Sequence, residues 1–138
     1  MKRYLFVLPA LLFFLSAFAQ DYSDPQNMEV TYTREAYYQG GDMQLVQDIW
    51  SKMEYTEEAV NALVDSQIMV SFNVNTDSTV SGISIIRGLD YGINEEFVRV
   101  FKQLKFVPAI ADGNIVTQNM ILNIPIRAGP GSKRKQTD

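Results

Sequence analysis

Few side chains in this sequence are equipped to do chemistry. None of its 138 residues is a histidine or a cysteine. That removes Ser-His-Asp relays, thiolate nucleophiles, disulfides and zinc sites of the Cys/His type together. Carboxylates remain, and the adjacent pairs Glu57-Glu58 and Glu95-Glu96 each open a helical stretch. Neighbours on a helix diverge by about 100°, so neither pair forms an acid/base dyad, and both read as charge favoured by a helix N-terminus. Gly40-Gly41 lacks the preceding strand and the Gly-Lys-Ser/Thr continuation of a phosphate loop. Trp50 and the Phe97/Phe101 pair stand at helical spacings and read as core. The expectation is a non-enzyme with no cofactor and no metal.

Composition narrows the class further. The chain is 46% hydrophobic and 12% aromatic, enough for one packed core and too apolar for general disorder. Its net charge is −4, and loss of Lys2 and Arg3 with an N-terminal leader would leave 10 basic against 16 acidic residues. An acidic body is a poor nucleic-acid binder. The exception is Lys133-Arg134-Lys135, which could touch anionic lipid or an acidic partner but reads first as a solvated terminal run.

Met1 to Arg3 is a positive n-region, Tyr4 to Phe18 is apolar apart from Ser16, and Ala17-Phe18-Ala19 presents small residues before Gln20. This is the pattern of a cleaved signal peptide over residues 1–19. The run is shorter than the roughly 20 apolar residues a membrane span needs, and it contains Pro9. A periplasmic protein is expected.

Beyond the leader, residues 20–35 form a polar linker in which Met28 to Thr33 alternates like a peripheral strand. After Gly40-Gly41, Asp42 is placed to cap a helix carrying Met43, Val46, Ile49, Trp50 and Met53 on one side. Thr56 can cap a short second helix with Ala59, Val60, Leu63 and Val64. From Ile68 to Val74 the period becomes two, Thr76 to Thr79 is a turn, and Val80 to Arg87 returns, so the pair reads as a hairpin. Asn94 can cap a third helix with Phe97, Phe101 and Leu104 inside and Arg99, Lys102 and Lys105 outside; Pro108 ends it. Asp112-Gly113 turns into one long strand, Ile115 to Arg127, with Val116, Met120, Leu122, Ile124 and Ile126 on one face. Pro125 lacks an N–H and argues that one side of this strand is an edge. The fold class is α+β, a small three-stranded, mainly antiparallel sheet with helices packed on one face. Residues 36–128 make the domain and 129–138 a flexible basic tail.

This order of elements, with several local phrases, resembles the C-terminal domain of TonB, in the form common among Bacteroidetes-like sequences. Tyr38-Gln39-Gly40-Gly41 stands where the family has Pro-Gly-Gly. Tyr55 to Ala59 is similar to its Tyr-Pro-x-x-Ala, and Ile68 to Val74 to its first hairpin strand. The most specific match is Phe106-Val107-Pro108-Ala109 followed by Asp112 to Val116. The sequence departs from the pattern at Thr56 (Pro), Ser66 (Gly) and Ser78 (Gly). It also lacks the transducers' membrane-embedded histidine and Pro-rich spacer, which argues against direct use of a proton gradient.

The resemblance implies capture of an extended peptide, the TonB box of an outer-membrane receptor, by strand addition to the sheet edge. The candidate edge is Thr117, Gln118, Asn119, Ile121 and Asn123. The same edge could instead close a homodimer, or be covered by residues 28–33. Arg99 and Lys102 either steer an acidic partner or form a solvated helix face. Two alternatives stay open: a minimal membrane-anchored transducer with an uncleaved N-terminus, and a structural homodimeric envelope protein.

Overall fold

A computed structural model describes residues 30–136; the leader read over residues 1–19 and the start of the linker lie outside them. The described chain runs α1 (Gly41–Lys52), α2 (Glu57–Asn61), β1 (Asp65–Val74), β2 (Val80–Arg87), α3 (Ile93–Phe101), β3 (Ala109–Ala111), β4 (Asn114–Val116) and β5 (Gln118–Arg127). Three strands form an antiparallel sheet in the order β2-β1-β5, and β3 and β4 pair as a separate hairpin. The expected α+β class and three-stranded sheet are both present.

The period-two pattern of β1 does what it predicted. Ile68, Val70, Phe72 and Val74 are buried on one face, while Met69, Ser71 and Asn73 turn to the other. The buried face meets α3, whose Phe97, Val100 and Phe101 are fully enclosed, with Leu104 just behind. Phe72 crosses Phe101 edge-on at 4.8 Å between centroids and also contacts Phe106 at 5.2 Å. Such pairs add about 0.5–1.5 kcal/mol beyond burial. α3 packs against α1 and β2, and α1 against β5.

Several local expectations change. The last strand is not continuous: β4 ends at Val116, Thr117 interrupts, and β5 begins at Gln118 in a different sheet. The tight Asp112-Gly113 turn, with φ 49° and 76°, is the left-handed pair that a two-residue hairpin loop demands, so residues 109–116 close on themselves and leave β5 to pair with β1. Asp42 and Asn94 are not caps. The capping positions are Gly40 and Gly92, neither offering a side chain. The Asn94 side chain instead accepts from the Leu89 N–H at 2.8 Å. Thr56 does cap α2, accepting from the Ala59 N–H at 3.2 Å.

Both ends of the described segment are tied down. Thr33 and Arg34 donate to the Ile110 carbonyl, and Tyr37 exchanges hydrogen bonds with Val107. The described part of the N-terminal segment therefore runs along residues 107–110, and it makes no backbone hydrogen bond to residues 119–127 of β5. The tail expected to be mobile lies along Tyr55: the Tyr55 N–H donates to Lys133 O and the Lys135 N–H to Tyr55 O, both at 2.9 Å. Lys133 and Arg134 pair with Glu54 at 2.6 Å and Glu57 at 3.5 Å. Composition alone could not show this, because the receiving groups lie some eighty residues away in sequence.

Candidate functional site

The register of β5 is uninterrupted from Gln118 opposite Val74 to Arg127 opposite Asp65, so the backbone groups of alternate residues point to opposite sides. Two hydrogen bonds fix which is which. The Ala128 N–H, in register with the even positions, donates to Val64 O at 2.8 Å. The Pro125 carbonyl accepts from the Trp50 indole of α1 at 2.7 Å, so the odd positions face away from β1. Even residues 118–126 are thus committed to the β1 ladder. Asn119, Ile121 and Asn123 turn their N–H and C=O groups outward, where no backbone partner takes them among the described residues. Pro125 occupies an odd position, the only parity at which a missing N–H leaves the ladder intact.

The residues expected to form this edge separate into two groups. Asn119, Ile121 and Asn123 share the outward parity, and their side chains are exposed, Ile121 by 58%. The Asn119 amide also braces the outer face, donating to Phe72 O at 3.1 Å and Asn73 Oδ1 at 2.9 Å. Gln118 has the opposite parity and does not share the open row. It is buried, and its Oε1 accepts the Ala36 N–H at 2.6 Å, fixing the lead into α1 beside the start of β5. Thr117 sits in the break before the strand.

The expected steering charges part as well. Arg99 is held by Glu96 and also donates to Lys52 O at 3.3 Å. Lys102 is exposed, at the end of a helix that packs on α1 and β2. Glu96 stands in the first turn of α3, as expected. It is also buried, and it accepts from Arg99 and from the Glu54 N–H at 2.9 Å. The Arg99 guanidinium, reinforced by that amide, holds its carboxyl below the usual carboxylate range against the opposing effect of burial. Its charge together with burial pushes the Tyr55 phenol up to about 12, burial being the larger cause. Glu95 is exposed, so the adjacent carboxylates diverge, as a helix requires. Among the described residues no cluster of carboxylates could hold a metal ion.

Sequence reasoning also placed Trp50 in the core. The structure leaves it 38% exposed at the sheet edge, and Met43 is 73% exposed. The buried residues of α1 are Leu45 and Ile49, with Met53 buried just beyond its end, so Ile49 and Met53 of the expected stripe hold while Leu45 takes the place of Met43 and Trp50.

The family model for the Gram-negative bacterial TonB protein C-terminal matches residues 51–127, more than half of the chain. The chain belongs to that family. The match begins within the last turn of α1 and ends on the last residue of β5, so it takes in the whole three-stranded sheet. TonB C-terminal domains are non-enzymatic, transport-associated modules of the cell envelope that interact with proteins such as outer-membrane receptors. No helix among the described residues of this TonB domain is long and apolar enough to cross a membrane. No curated protein matches the sequence.

Proposed function

We propose that this TonB-type domain acts in the periplasm after export, and that the β5 edge captures an extended segment of a partner protein by strand addition in the service of TonB-dependent transport. The segment that fits the family is the TonB box of an outer-membrane receptor. The observation that carries the reading is the row of outward N–H and C=O groups on Asn119, Ile121 and Asn123, unclaimed within the described chain. Six such groups invite a strand, and each hydrogen bond is worth about 0.5–1.5 kcal/mol net. The exposed positions of this stretch carry no charge, so backbone pairing dominates the grip.

The test is Ile121→Pro. It deletes the central outward N–H and sets a ring against an incoming strand, at a parity where the native chain already accommodates Pro125. The variant should fold and lose binding to receptor plug segments in a titration. Retained binding by a folded variant refutes edge capture. Association that depends on the domain's own concentration and is lost in the same variant would favour a homodimer through this edge. A native mass beginning at Gln20 separates an exported module from an anchored transducer.

A further inference from the structure

The edge does not stand alone, because α1 runs beside it. The two anchors already described set the direction of the helix. The lead into α1 is pinned at Gln118 through the Ala36 N–H, and its last turn reaches Pro125 through Trp50. About 18 Å of helix therefore lies parallel to about 23 Å of strand. Met43, Val46 and Trp50 are spaced i, i+3 and i+7, one stripe of a helix. Since Trp50 reaches the outward carbonyl of Pro125, that stripe faces the open side of β5. Met43 and Trp50 remain exposed and Val46 half-buried. Met120 and Leu122, half-buried, line the strand's inner face next to it. The stripe is thus continuous with the open row of backbone groups, and none of these five side chains is ionisable.

We infer that Trp50 and this stripe determine the reach and the side-chain chemistry of the segment that β5 takes; the inference rests on the edge-capture reading above. Trp50 occupies the Pro125 carbonyl, so pairing stops there and the partner aligns with Asn119, Ile121 and Asn123, about five residues of strand. Side chains of an added strand alternate between faces. Those on the outer face continue the exposed row of Asn119, Ile121 and Asn123. Those on the inner face lie against Met43, Val46 and Trp50, where a charged group would lose hydration with nothing to pair with. The occupant is an uncharged extended segment with apolar, preferably β-branched, residues at every second position.

The test titrates the full chain with two capped peptides, Thr-Val-Thr-Val-Thr-Val-Thr and its polar counterpart Thr-Ser-Thr-Ser-Thr-Ser-Thr. The amide resonances of Asn119, Ile121 and Asn123 report edge pairing, and emission from Trp50, the sole tryptophan, reports the stripe. The valine peptide should bind at least about tenfold more tightly, the difference expected from partial burial of its side chains, and shift Trp50 emission to the blue. Trp50→Ala, at a part-exposed position, should abolish the preference while the edge amides still respond. Equal responses to both peptides, with Trp50 unmoved, overturn this inference and leave edge capture standing. Silence of the edge amides towards both overturns edge capture and the inference with it. Trp50 emission that changes on dilution without peptide shows a second copy on the stripe, and also overturns it.

Discussion

Proline substitutions at adjacent positions of β5 should differ sharply in cost, and the difference measures the parity on which the functional reading depends. Leu122 lies opposite Val70 and, at an even position, faces it with both backbone groups. Leu122→Pro removes that N–H, strands the Val70 carbonyl in the sheet interior and drives a ring into the neighbouring strand. A lost hydrogen bond at about 1 kcal/mol and an unsatisfied buried carbonyl at about 1–3 kcal/mol, with the steric clash added, give at least about 3 kcal/mol. Ile121→Pro strands nothing, because its N–H points to solvent. It gives up an isoleucine already 58% exposed and tightens φ, at a cost of about 1 kcal/mol. Urea unfolding followed by Trp50 emission should separate the two variants by about 2 kcal/mol, with slopes unchanged. Equal destabilisation, or a costlier Ile121→Pro, would mean that the odd groups of β5 are engaged in the folded chain and would refute the open-edge argument.

Glu96 makes the domain acid-sensitive. Its folded-state pKa lies below its unfolded value, so its contribution is present above the unfolded pKa, about 4.3, and is lost as pH falls through the folded value. Glu96→Gln should cost about 1–2 kcal/mol at pH 7 and converge with the parent in denaturant titrations as pH falls through the folded value. Ser78 holds φ at 73° in the β1–β2 turn, so Ser78→Gly should relieve strain and gain about 0.5 kcal/mol after the entropy of glycine is counted, seen as a melting-temperature rise of a few degrees. Lys133→Ala combined with Arg134→Ala removes two exposed ion pairs, costing less than about 2 kcal/mol together. Hydrogen exchange at the Tyr55 and Lys135 amides should accelerate, as it should for the parent in high salt.

What the sequence determined by itself was whatever depends on neighbours in the chain. Alternation in residues 68–74 set the buried face of β1, the Thr56 hydroxyl marked the start of α2, and Phe97, Phe101 and Leu104 marked the inner side of α3. The lack of histidine and cysteine narrowed the chemistry at once. Pro125 announced an edge from its own covalent structure, while only the tertiary contacts of Trp50 and Ala128 decided which residues share that edge. In α1, Ile49 and Met53 are buried as their spacing implies, but Leu45 rather than Met43 joins them, because both satisfy helical spacing and rotation of a helix about its axis is settled by what packs against it. The partners of Glu96 and of the basic tail are hidden in the sequence for the same reason. A charge beside a helix start or chain end shows no partner until a guanidinium, an amide or a distant backbone is brought to it, and only the tertiary fold brings them.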